Sequence, residues 1–185
     1  MQTLILGLII FIGIHLLPSF PALRSKLIGR CGEKIYKGVF AGIALVGLIV
    51  IIIGKDKAPF LEVWEPPFWG RDVSYLLMLI AFVLVTAAYL PTNIRRFTRH
   101  PMLWGVTIWS IAHLLSKGDL AAMSIFFSIG IFAIFDMISA NLRGAVLAQE
   151  KISIYRDLTV VLIGVVTYFV VLTIHPAWSG FRMLR

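Results

Sequence analysis

The 185-residue chain is 59% hydrophobic and only 14% charged, with a mean hydropathy of +0.94. Soluble domains hold roughly 45–50% apolar and about 25% charged residues, so the composition excludes that class and predicts an integral membrane protein with one domain. The net charge of +8 gathers between apolar runs, as a topology signal does, so no nucleic-acid partner is expected.

The apolar runs are continuous, which predicts an all-α, polytopic transmembrane bundle of about six helices and not a barrel of alternating strands. Residues 4–17 form the first run. It has no basic n-region and no small-residue cleavage site, so it reads as a retained helix rather than a signal peptide. His15 lies near its end, and Pro18 and Pro21 stop it. A basic loop over 18–37 follows, with Arg24, Lys26, Arg30, Lys34 and Lys37. The second helix spans 36–54 and carries Gly38, Gly42 and Gly47, a spacing that lets helices approach closely. Residues 55–72 form a loop with Trp64, Trp69 and three prolines. Such a stretch belongs at the membrane interface, with a lid over a site as the alternative.

The third helix spans 73–90 and the third loop brings Arg95, Arg96 and Arg99. Pro101 opens the fourth helix at the position where its missing N–H costs nothing, and that helix runs over 102–115. The fifth spans 120–140 with Asp136 near its end. A polar, partly helical connector covers 141–157, the sixth helix 158–174, and a short tail ends the chain. Six helices put both termini on one side. Eleven of the 17 basic residues fall in loops one, three and five, which makes those loops cytoplasmic and both termini non-cytoplasmic.

An imidazole inside an apolar run is costly in lipid and is a functional-site candidate by default, with a helix–helix hydrogen bond as the structural alternative. His15 and His113 each lie 11 residues into their helices, so roughly 16 Å from opposite faces of the hydrocarbon layer and near one depth. Such a pair could hold a metal or both faces of a haem iron. His100 and His113 differ by about 220° around a straight helix and about 20 Å along it, so His100 belongs to another layer. Asp136 is expected to pair with Arg99 or His100, because intramembrane charges are usually paired. His175, before Pro176, reads as a solvated interfacial residue. Cys31 in its basic loop reads as a bystander thiol, with a thiolate ligand as the alternative. No C-x-x-C, H-E-x-x-H, P-loop or dinucleotide fingerprint occurs.

Arg99-His100-Pro101-Met102-Leu103-Trp104-Gly105, Trp109, Ala112-His113-Leu114-Leu115 and Gly118-Asp119 resemble the signature of the NnrU family. His15 with Pro18-Ser19, Arg24, Gly32-Glu33 and Tyr36 resembles its amino-terminal signature. Ser116-Lys117-Gly118 departs from it where the family often has Asn before Gly. The family includes bacterial membrane proteins linked to denitrification and nitric oxide metabolism. It also includes the 15-cis-ζ-carotene isomerase of plants and cyanobacteria, with b-type haem bound through histidines. The resemblance implies a bacterial inner-membrane protein in which His15 and His113 ligate haem b. Arg99, with Arg24 or Arg95, would meet the propionates, and His100, Asp136, Tyr36 and Trp109 would be structural or supporting residues. The implied chemistry is redox-linked, either nitric oxide handling or isomerisation of an apolar polyene taken from lipid.

Arg-His-Pro-x-x-x-Gly also resembles the isoprenylcysteine carboxyl methyltransferases, although Leu103 stands where those have an aromatic residue and Gln149-Glu150 where they have two glutamates. That alternative is an S-adenosylmethionine enzyme using Arg99, His100 and Glu150. A third is a non-catalytic assembly factor for respiratory nitrogen-oxide enzymes.

Overall fold

A computed structural model describes residues 1–179, with side chains to His175. The order is α1 Gln2–Leu16, α2 Pro21–Cys31, α3 Glu33–Asp56, α4 Gly70–Tyr89, α5 Pro101–Ser116, α6 Leu120–Leu142 and α7 Ile154–Ser179. Short 3₁₀ turns sit at Leu17–Ser19 and Asn93–Arg96. The described residues hold no strand, only an isolated bridge between Glu62 and Asp119. Five of the described helices are long and apolar enough to cross a membrane, and α5, at 16 residues, is shorter. The six apolar runs expected from sequence are α1 and α3 to α7.

Two loops differ from expectation. Residues 21–31 of the basic loop form α2, because Pro21 is preorganised for a first helical turn and Gly32, at φ +81°, ends it. The connector is helical only at its two ends, 141–142 closing α6 and 154–157 opening α7. Gly144, at φ +86°, follows the end of α6, and 145–153 run without helix to α7. Asn93 holds that segment by donating from Nδ2 to Ile152 O and accepting from Ile152 N–H, at 2.7 and 2.9 Å. The expected tail, with Arg182 and Arg185, falls largely outside the described residues, while 175–179 continue α7.

In order of packing, α7 lies on α4, α4 on α5 and α5 on α6, while α1 pairs with α3 and touches α6. Much of the interior is built from small residues, with Ala87, Ala112, Ala121 and Ala133 fully buried beside Leu4, Ile51 and Val160, while many large apolar side chains face outward. That inversion suits a lipid solvent, where close backbone approach replaces hydrophobic burial as the driving force. Gly7 of α1 lies against the backbone of Ile51, and Gly47 and Gly54 of α3 against Phe11 and Leu4. Gly38 and Gly42 face open space instead, so the close contact uses Gly47 and Gly54, seven residues apart on one face. Gly47→Leu is therefore expected to lower the thermal midpoint by several degrees, overpacking being worth about 1–3 kcal/mol. Gly42→Leu should leave it within a degree or two. Equal shifts in a detergent melt would count against this packing.

The segments carrying most of the basic residues meet at one end of the bundle. There Ala148 N–H donates to Arg95 O, and Ser19 Oγ lies 3.0 Å from Asp136 Oδ1. The opposite end holds the start of α1, Lys55, the 57–69 segment and Asp119. His175 lies at that end too, so α1 begins and α7 approaches its end on the same side.

Candidate functional site at the α4–α5–α7 cavity

Alpha-helical spacing brings the site together. On α4, Arg71, Ser74, Tyr75, Met78 and Phe82 recur three to four residues apart and form one stripe, as do Tyr168, Leu172 and His175 on α7. With Ala112, His113, Ser116 and Lys117 of α5 they line a half-open, mainly apolar cavity of about 70 Å³. Ser74 Oγ lies 2.5 Å from Ala112 O and 2.7 Å from Gly70 O and shares its proton between them, which fixes α4 on α5 beside His113.

His113 is oriented by its own helix. Its Nδ1 lies 2.9 Å from Trp109 O. A carbonyl only accepts, so Nδ1 carries the proton and the neutral ring keeps a lone pair on Nε2. Phe126 of α6 stacks on the ring at 4.2 Å, and Trp109 stands 5.0 Å away. Across the cavity the His175 ring is 6.3 Å from that of His113. His175 is thus half-buried in the cavity wall, not a solvated interfacial residue, because α7 continues past it.

His15 makes the same back-bond, Nδ1 to Phe11 O at 2.6 Å, and packs among Phe11, Phe40 and Phe132. Phe126 and Phe132 are six residues apart on α6, so about 9 Å along the axis and about 120° around it. The structure therefore sets His15 and His113 on different faces of α6 and at different depths. Near His15, the Arg24 guanidinium lies 5.9 Å over the Tyr36 ring, and the Tyr36 hydroxyl is buried with no hydrogen-bond partner among the described residues.

At the basic end, Asp136 pairs with Arg143 and Ser19 and not with Arg99 or His100. Residues 136 and 143 stand two turns apart on one face, whereas Asn141 is rotated toward the α5 entry. There Asn141 Oδ1 accepts from Arg99 Nη1 at 3.2 Å and meets His100 Nε2 at 3.0 Å. Arg99, His100 and Asn141 share an open pocket of about 250 Å³ with Trp104, and Glu150 is not in its wall. Arg24, Arg95 and Arg99 all belong to this end. The cations of the His113 cavity are Arg71 and Lys117, two residues that charge distribution alone did not single out. Cys31 is exposed, and its thiol donates to Leu27 O.

The turn after α5 anchors the 57–69 segment as a strap beside the cavity. Gly118 O accepts from Val63 and Trp64 N–H at 2.8 and 3.3 Å, Leu61 O from Leu120 N–H at 2.8 Å, and Lys117 O from Trp64 Nε1 at 3.2 Å. Asp119 caps α6 through Ala122 N–H at 3.0 Å and forms an ion pair with Lys55. Burial lowers the Lys117 pKa, and Lys55 adds to the shift. Burial raises that of Asp119, but the hydrogen bonds from Lys55 and Ala122 outweigh it, so the carboxyl titrates below its usual value. The sign follows. A depressed carboxylate stabilises the fold above its unfolded pKa of about 3.9 and ceases to as pH falls through its lower folded pKa. On acidification below about pH 4, Trp64 emission, taken as the difference from Trp64→Phe, is expected to shift to the red. Asp119→Asn should lack the transition, and an identical transition in that variant would refute the assignment.

The family model described as NnrU protein matches residues 3–183. The chain belongs to the NnrU family. No curated protein and no solved structure matches it. In this NnrU chain, the two ends of the Arg99–Asp119 motif serve different places. Arg99 and His100 bind Asn141 at the basic end, while His113 and the Lys117-Gly118-Asp119 turn build the cavity and the strap dock.

Proposed function

We propose that this NnrU protein is a multi-pass haem b protein of the bacterial inner membrane, with the haem in the α4–α5–α7 cavity on His113. The observation that carries the reading is the His113 imidazole, whose Nδ1 is held by Trp109 O so that Nε2 is left as a donor within an apolar cavity. The residues present fit the group. Phe82, Met78 and Leu172 offer an apolar lining, and Arg71 and Lys117 offer cations for carboxylates.

Haem supplies one-electron chemistry and an iron that binds small gaseous ligands. The protein would hold and orient the ring through His113 and exclude water with its apolar wall. Its role is redox-linked, in nitric oxide and denitrification metabolism, with cis–trans isomerisation of an apolar polyene as the other chemistry such a lipid-embedded haem serves. The basic end faces the cytoplasm by the positive-inside rule, so the cavity lies toward the opposite side. Haem titration of haem-depleted protein in detergent tests the reading. A Soret band should grow and saturate at one haem per chain, and growth without saturation would mean non-specific partitioning and refute it.

A further inference from the structure

We propose that the pocket at the entry of α5 binds the headgroup of an anionic phospholipid through Arg99, Asn141 and Thr98. This pocket lies at the basic end of the bundle, away from the His113 cavity and the strap. Asn141 stands one residue before the end of α6, a helix long enough to cross a membrane. His100 immediately precedes α5, which packs on α6. The open pocket of about 250 Å³ between them therefore lies where two helices leave the hydrocarbon layer, at headgroup level. Trp104 in its wall is 47% exposed, the position of an interfacial tryptophan. Phe97 in the wall and Leu142 and Val146 beside it are exposed apolar side chains.

Hydrogen bonding leaves the pocket rich in donors. A guanidinium only donates, so Arg99 fixes the Asn141 amide with its oxygen inward, and that oxygen also accepts from His100 Nε2. Left over are Asn141 Nδ2, the other N–H groups of Arg99 and the Thr98 hydroxyl, whose oxygen already accepts from His100 N–H at 3.3 Å. Each of these can donate. No carboxylate lies in the wall, and among the described residues Arg99 makes no ion pair. A guanidinium fork with spare donors beside an amide N–H suits the oxygens of a phosphate. Arg95 and Arg96 on the preceding turn, also without an ion pair among the described residues, add the positive field that gathers anionic headgroups. The apolar flank separates a lipid from a free phosphate, because it offers acyl chains a surface and a soluble anion none.

Trp104 reports on the pocket. The full chain is reconstituted into phosphatidylcholine vesicles with graded fractions of phosphatidylglycerol brominated near the head of its acyl chains, or of phosphatidylcholine brominated at the same carbons. The Trp104 signal is the difference from Trp104→Phe. Half-quenching is expected at a mole fraction of phosphatidylglycerol about fivefold below that of phosphatidylcholine, the factor that one cation beside an anionic headgroup carries. Arg99→Gln should remove most of this preference. Asn141→Asp keeps an acceptor for Arg99 and His100 but adds a negative charge, so it should abolish the preference, and it serves where the Arg99 variant misfolds. Arg30→Gln, which removes a cation on α2 outside the pocket, should leave the preference as it is. Equal quenching by the two lipids, or a preference that survives both pocket substitutions, would overturn the site. A preference lost equally in Arg30→Gln would assign it to diffuse surface charge and overturn the site too. Relief of quenching by inorganic phosphate or S-adenosylmethionine at constant ionic strength would name a soluble ligand and overturn the lipid.

Discussion

His113→Ala is expected to abolish stable haem binding while the bundle stays folded. Altering a residue that merely supports a ligand lowers metal affinity by about 10–100-fold, so loss of the ligand itself should exceed about 100-fold. The fold should survive because alanine is the better helix former and the lost ring contacts, with Phe126 at 4.2 Å and Trp109 at 5.0 Å, are worth about 1 kcal/mol each. Haem per chain, measured as the pyridine haemochrome, should fall to background with a thermal midpoint close to native. His100→Ala is the control. Its ring lies against Asn141 at the basic end, so haem content should not change. Full haem content in His113→Ala would remove the site.

Gly118→Val is expected to give the largest loss of stability of any surface-loop substitution. A Cβ at this position would fall on the Trp64 carbonyl oxygen, with Pro66 also in its way. The obstacle is backbone, so the strap must lift. Lifting forfeits the Val63 and Trp64 bonds to Gly118 O, the Leu120 bond to Leu61 O and the Trp64 indole bond to Lys117 O. At about 1 kcal/mol each, the loss is about 3–4 kcal/mol. Limited proteolysis should then cut within 57–69, where the native protein resists. Gly13→Ala, which meets nothing within 4 Å, should change stability by less than about 0.5 kcal/mol. A resistant, fully stable Gly118→Val would show that the strap is not docked through this turn.

Much of the fold was legible because transmembrane runs announce themselves by length. All six apolar runs became α1 and α3 to α7, and the basic residues marked the loops that share an end. What composition could not supply was rotation. A helix that is apolar all round has no stripe to read, so the faces of α1, α5 and α7 that meet their neighbours were hidden. The depth argument for His15 and His113 took the helix edges as equivalent. Contact with Phe132 and Phe126 on α6 separates the two rings instead. His175 looked interfacial because an apolar run ended beside it, yet its helix carries on to Ser179. Asp136 met Arg143 because α6 runs on to Leu142 and sets residue 143 two turns along the same face. Glycine spacing on α3 was visible, but only packing distinguished Gly47 from Gly42. The Trp/Pro segment was readable as interface or lid. Its docking on Gly118 O depends on a turn 54 residues away, beyond any local pattern.

The most direct measurement is the absorption spectrum of the protein purified in detergent from cells supplied with a haem precursor, recorded oxidised and after dithionite. A Soret band that sharpens on reduction, with resolved α and β bands at one haem per chain, is the predicted result. A spectrum with no Soret band, persisting after haem reconstitution, would contradict the account and redirect attention to S-adenosylmethionine binding at the Arg99–His100–Asn141 pocket.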